Sequence, residues 1–158
     1  MAEGSLEARI AALELECRTL TDIEAIRTLR YKYCRSVNRA EWRNLEECFA
    51  EDATFEFGPG TRVSGRTAVI EFYENVLSRT MAMTVIHCHN PEIEVRGDKG
   101  SGLWEFDNFR IESRGDEASR IGGRYEEEYI RVDGQWKIRS SAVTFHFQQP
   151  TEWRAVPG

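Results

Sequence analysis

The chain contains no apolar run approaching the roughly 20 residues that a membrane-spanning helix needs, which argues against an integral membrane protein. Its first residues, Met1-Ala-Glu-Gly-Ser-Leu-Glu, hold neither a basic stretch nor an apolar one. No secretory leader is expected there, and a cytoplasmic location is. The cysteines, Cys17, Cys34, Cys48 and Cys88, are scattered without a Cys-x-x-Cys pair. That spacing fits neither a disulfide framework nor a zinc ribbon, so reduced thiols are expected. Positive charge is in deficit, with 21 Lys and Arg against 27 Asp and Glu and a net charge of −6. No basic stripe interleaved with aromatics offsets this. Nucleic acid and anionic membrane surfaces are therefore not expected as partners. Internal repeats and low-complexity linkers are also lacking.

What is present suits one domain. At 158 residues with 41% hydrophobic content, the chain can bury a sizeable core, and 17 aromatics are many for this length. Leu6, Ile10 and Leu13 mark a short helix over 5–17. Thr21 followed by Glu24 reads as a capping box that starts a new helix. Ile23, Ile26, Leu29, Tyr33 and Val37 give that helix one apolar face of about four turns. A further helix turns Trp42, Leu45, Cys48 and Phe49 inward. Ala53–Phe57 alternates as a strand and ends at Gly58-Pro59-Gly60. A helix after Gly65 carries Val69, Ile70, Phe72, Tyr73, Val76 and Leu77. Four long strands close the chain, over 83–95, 101–112, 121–132 and 135–147, with hairpin signals at Gly97-Asp98 and Asp133-Gly134. The expected division is an N-terminal helical extension (1–18), one α+β domain (19–149) and a loose tail (150–158). Sequential hairpins make the sheet mostly antiparallel with helices on one face. A twisted sheet of that kind leaves a concave cavity beneath the helices, where small ligands bind.

The stretches DIEAIRTLRYKYCRSVNRAEWRNLEECFAEDATFEFGPG, SGRTAVIEFY, HNPEIEVRGDKG and GGRYEEEYIRVDGQWKI occur in this order. Together, over about residues 20–140, they resemble the SnoaL-like branch of the nuclear transport factor 2-like superfamily. The resemblance implies a cone-shaped, cystatin-like α+β barrel, usually a homodimer or homotrimer, acting on a small molecule with no metal or organic cofactor. Dehydratases, a dehydrochlorinase, ketosteroid isomerase and polyketide cyclases belong to that superfamily.

The catalytic pattern of those relatives is not repeated here. An Asp near the end of the second helix is Asn38, which hydrogen-bonds but cannot act as a base. A strand His is Ile86, with His87 one step away, so His87 faces the pocket only if a bulge shifts the register. An Arg late in the chain is Ser141, and a second His falls on Arg110. Regular alternation puts Trp104, Phe106, Asn108 and Arg110 on one face, and the resemblance makes it the pocket face. Tyr125 and Tyr33 add phenol hydroxyls. The candidate catalytic set is therefore His87, Tyr33, Asn38 and Arg110. Trp104, Phe106, Asn108, Tyr125 and His89 are the candidate substrate contacts.

Each candidate has a plainer reading. Tyr33 and Trp104 sit at core spacing. Arg110 needs either a ligand or a carboxylate such as Glu127. Asn38 could cap a helix end. His87 and His89 share a strand face, but a third metal ligand would have to be His146, a carboxylate or Cys. Strand histidines are more often hydrogen-bonded wall residues, so no metal is expected. Cys34 and Cys88 read as structural, and Glu126-Glu127-Glu128 as a mainly solvated strand.

The leading expectation is a cofactor-free lyase. It would eliminate water, an acid or a one-carbon aldehyde from a hydroxylated aromatic or polycyclic compound, with a His moving the proton and Arg110 stabilising the oxyanion. The alternatives are an isomerase or cyclase acting through an enolate, and a non-catalytic binding or assembly domain.

Overall fold

The computed structural model describes residues 5–114 and 117–154. Its first element is one uninterrupted helix, α1 (Leu6–Arg39). The break expected near Thr21 does not occur, because the Thr21 hydroxyl turns back to donate to Cys17 O at 2.9 Å inside the helix rather than capping a new one. Ser5 caps the helix through Ala8 N, and Ala40 ends it in the left-handed conformation, its N–H bonded to Ser36 O and Val37 O. A short helix α2 (Trp42–Glu46) leads into β1 (Phe49–Phe57). Phe49, expected at the end of a helix, opens that strand and is fully buried.

A three-residue strand β2 (Arg62–Ser64), too short to show as a pattern, pairs antiparallel with β1. Helix α3 (Arg66–Phe72) runs on through a π-helical stretch (Tyr73–Leu77) and a last helical turn (Ser78–Thr80). Strands β3 (Met81–Arg96), β4 (Lys99–Glu112), β5 (Ala118–Val132) and β6 (Gln135–Thr151) follow. The expected tail is thus strand as far as Thr151, and its residues 155–158 lie outside those described.

The six strands form one curved, unclosed mixed sheet in the order β2-β1-β6-β5-β4-β3. All neighbours are antiparallel except β1 and β6, which are parallel. Parallel pairing there brings the end of the chain back beside the first strand. The concave face packs on the second half of α1: Ile26, Leu29, Tyr33 and Val37 are buried with Trp104, Phe106, Tyr125, Ile138 and Val143. Gly100 allows this approach, since a Cβ there would lie 3.1 Å from Ile26 Cδ1. Burying that many large apolar side chains, at ~1.5–3 kcal/mol each, holds helix to sheet.

Candidate active site

Where α1 ends, α3 packs on β1 and its π-helical continuation faces β3 and β4 across a cleft. Its inner part is lined by Tyr33, Tyr73, Phe106, Asn108, Arg110 and Tyr125 among others, and leaves about 40 Å³ free. Its outer bay, about 240 Å³, is bounded by Asn38, Trp42, Met83 and Ser78 and shares Val37, Tyr73, Leu77, Met81 and Thr84 with the inner part. The π-helical stretch begins at Tyr73 and ends at Leu77, both of which line the cleft; such turns recur at functional sites.

Tyr33 and Tyr73 meet at the bottom, their hydroxyls 2.5 Å apart and both residues 1% exposed. Burial pushes both phenols well above their ordinary pKa, and for Tyr33 the neighbouring Tyr73 adds to the rise. Both therefore stay protonated at neutral pH; one hydroxyl donates to the other, and the accepting one keeps its own proton to donate into the cleft. Tyr73, read from the sequence only as part of an apolar helix face, is a cleft hydroxyl that reading missed.

Asn108 Nδ2 donates to Thr84 Oγ1 at 3.0 Å across the β3–β4 pair. Arg110 reaches the cleft but is held by Glu112 Oε1 at 3.0 Å and Ser119 Oγ at 3.3 Å. Its carboxylate partner is Glu112, not Glu127. Phe106 and Tyr125 form apolar wall, their ring centroids 4.9 Å apart.

Of the remaining candidates, Asn38 borders the outer bay but is already engaged, and the others fall elsewhere. Trp104 shares the inward face of β4 but is fully buried deeper in the core, its Nε1 donating to Tyr129 Oη at 2.8 Å, and it does not line the cleft. Asn38 has both ends of its amide engaged: Nδ2 donates to Ile86 O at 3.1 Å and Oδ1 accepts from Ile86 N at 2.8 Å. It staples α1 to β3 and has little left for a substrate. His87 and His89 stand on the outer face of β3, their side chains 65% and 44% exposed beside Asp107 and Glu105. The β3–β4 register shifts at Met81–Met83 and again after His89, where Asn90 has φ 47°, but from Met83 to His89 the pairing steps evenly. Ile86 and Cys88 therefore keep the inward positions. Among the described residues, no three His, Cys, Asp or Glu gather as a metal site.

Beneath the cleft lies a second buried polar group. Arg30 Nη1 bonds Glu127 Oε1 at 2.7 Å, and Nη2 lies 3.4 Å from Cys88 Sγ. The guanidinium is sandwiched between the rings of Tyr33 and Tyr125, at 4.0 and 3.9 Å from their centroids. Ser141 and Tyr129 donate to the two oxygens of Glu127, at 2.8 and 2.5 Å. Arg30 falls on the same helix face as Ile26, Tyr33 and Val37, and a cation in an apolar stripe was the sequence signal for this pair. The network seats Tyr33 and Tyr125 as cleft walls.

A larger hollow, about 500 Å³, lies against Glu92, Glu94, Glu126, Glu128 and Ser101. It is open and ringed by carboxylates, whereas the cleft is partly enclosed and aromatic, as small-molecule sites usually are.

A long helix cradled by a curved sheet with a cleft at the helix end is the cone fold of nuclear transport factor 2-like proteins. Residues 18–142 match the SnoaL-like domain, and the chain belongs to that family. Similar solved structures include a hexachlorocyclohexane dehydrochlorinase from Novosphingobium barchaimii, with TM-score 0.80 and 22% identity over 88% of this chain and 97% of that one. A protein of Novosphingobium aromaticivorans described as a scytalone dehydratase has TM-score 0.77 and 20% identity over 86% and 91%. Another from that organism, described as an aromatic ring hydroxylase, has TM-score 0.76 and 26% identity over 84% and 94%. Lyase-type enzymes are thus among the proteins that share this fold.

Proposed function

We propose that the cleft receives a small ring compound bearing a carbonyl or phenolic oxygen, and that the protein is a cofactor-free lyase removing a small leaving group from it. The observation that carries this reading is the Tyr33–Tyr73 pair, two protonated phenols together at the floor of an aromatic cleft. Donors fixed in a dry site stabilise a developing oxyanion without reorganising. Arg110 adds a permanent charge on the same cleft, moderated by Glu112. The lyases among proteins of this fold are consistent with it.

The cleft offers acids but no base. Among the described residues, no Asp, Glu or His lines it. The histidine role in proton transfer is therefore dropped, and the substrate must bring an acidic C–H of its own, as a carbon beside a carbonyl does. Its proton passes to water at the outer bay, and the C–H electron pair forms an enolate held by the phenols. The enolate collapses to a double bond as the leaving group departs with its own bonding pair. The missing base also favours a second reading, a binding domain that holds such a compound without turning it over.

The test is mass spectrometry of protein incubated with pooled hydroxylated aromatic and polycyclic ketones. Loss of one defined small molecule, slowed ~10²–10³-fold in Tyr33→Phe or Tyr73→Phe, supports the lyase. A product of unchanged mass points to an isomerase or cyclase, and binding without any product overturns catalysis.

A further inference from the structure

Beyond the domain, α1 carries a feature that the cleft does not use. Every residue from Leu6 to Arg18 is exposed, so the first ~20 Å of the helix stands clear of the sheet. Along it Leu6, Ile10, Leu13, Cys17 and Leu20 recur in alternating steps of four and three residues. Leu6, Leu13 and Leu20 are 70%, 60% and 60% exposed, and Ile10 is 47% exposed. That is a heptad seam with Leu6, Leu13 and Leu20 at the d positions and Ile10 and Cys17 at the a positions. At 100° per residue it runs on the side of the helix opposite Ile26, Leu29 and Tyr33, the face that packs on the sheet.

We infer that this segment pairs with the same segment of a second copy, as a short parallel two-stranded coiled coil. Ile at a with Leu at d favours two parallel strands. The flanking charges agree: Arg9 stands at a g position and Glu14 at the following e position. In a parallel dimer each Arg9 meets Glu14 of the partner subunit, twice by symmetry. An antiparallel pairing would oppose the e-position carboxylates Glu7 and Glu14 of the two copies while setting Arg9 against Glu16 at the g positions, so the orientation rests on Ile10 at a and the leucines at d. Two heptads are marginal for an isolated helix, but here the rest of α1, packed on its domain, already pays the cost of nucleation. Because the seam faces away from the sheet, the two domains lie on opposite sides of the coil and do not collide.

Cys17 makes the arrangement measurable, since parallel pairing sets it against its own counterpart. Full-length protein treated with diamide is expected to form a disulfide-linked dimer on non-reducing gels, absent in Cys17→Ser. Leu13→Asp should lower the cross-linking rate by roughly tenfold or more. Arg9→Glu and Glu14→Arg should each lower it as well, and the double exchange should restore it. These side chains touch nothing in the domain, so an unchanged circular dichroism melt is the control for folding. Absence of a Cys17-linked dimer, or a rate indifferent to Leu13→Asp, overturns the proposal.

Discussion

Arg30 and Glu127 form an ion pair 2.7 Å long with both side chains fully buried, joining the middle of α1 to β5 across the core. Removing one member leaves the other as an uncompensated buried charge. Glu127→Ala is expected to cost about 3–5 kcal/mol of unfolding free energy in urea titrations. The double variant Arg30→Met/Glu127→Leu should be far less damaged than the sum of the single changes. Additive losses would show that the pair does not act as a unit.

The Tyr33–Tyr73 contact makes a similar prediction on a smaller scale. Tyr73→Phe strands the Tyr33 hydroxyl in the core and should cost about 1–3 kcal/mol, whereas Tyr33→Phe/Tyr73→Phe removes both partners and should come close to neutral. If the double variant stays stable yet loses affinity for a phenolic probe, measured by calorimetry, the hydroxyls serve the ligand rather than the fold.

Asn38, at a position where the sequence resemblance implied an acid, ties α1 to Ile86 through its amide. Asn38→Asp puts a carboxylate oxygen against Ile86 O, with no N–H to donate. The new carboxyl should have a raised pKa in the folded state, so its penalty is absent below the unfolded carboxylate pKa and grows as pH rises to the folded one. A deficit of about 1–3 kcal/mol at pH 7 that shrinks towards pH 4 is expected in thermal melts. The residue therefore cannot be converted into a base without a cost in stability.

The fold could be read from alternation and spacing because long strands and a one-sided helix face are local patterns. The four long strands and both hairpins stand close to where Gly97-Asp98 and Asp133-Gly134 placed them. The site could be read only in part. Phe106, Asn108, Arg110 and Tyr125 reach the cleft because parity along a strand survives folding. Tyr73 was legible as an inward residue, three and four places after Ile70 and Val69, but nothing in that spacing told a cleft hydroxyl from a packing ring. Arg30 was hidden because its partner is 97 residues away. The histidines depended on where the bulge in β3 fell, which no sequence spacing shows.

That placement has its own consequence. His87 and His89 pair with Asp107 and Glu105 on the far side of the sheet from the cleft. His87→Ala and His89→Ala should therefore leave ligand affinity, and any turnover, unchanged, while Phe106→Ala weakens both. A large loss in either histidine variant would mean that the cleft is not the site.

Cys88 should be the unusually acidic thiol of this protein. A hydrogen bond from the Cys34 thiol, opposed by burial and helped by Arg30, brings it down to about 7. A lowered folded pKa means that the thiolate contributes stability above the ordinary thiol pKa, and that this contribution is lost as pH falls through 7. Iodoacetamide alkylation of Cys88, followed by peptide mass spectrometry, should rise through a midpoint near that pH, whereas exposed Cys17 gives an independent reference. Cys34→Ala should move the Cys88 midpoint upwards, and Cys34→Ser, which keeps a donor, should move it less. A Cys88 midpoint indifferent to both changes would mean that Arg30, at 3.4 Å from the sulfur, acts on the thiolate without help from Cys34.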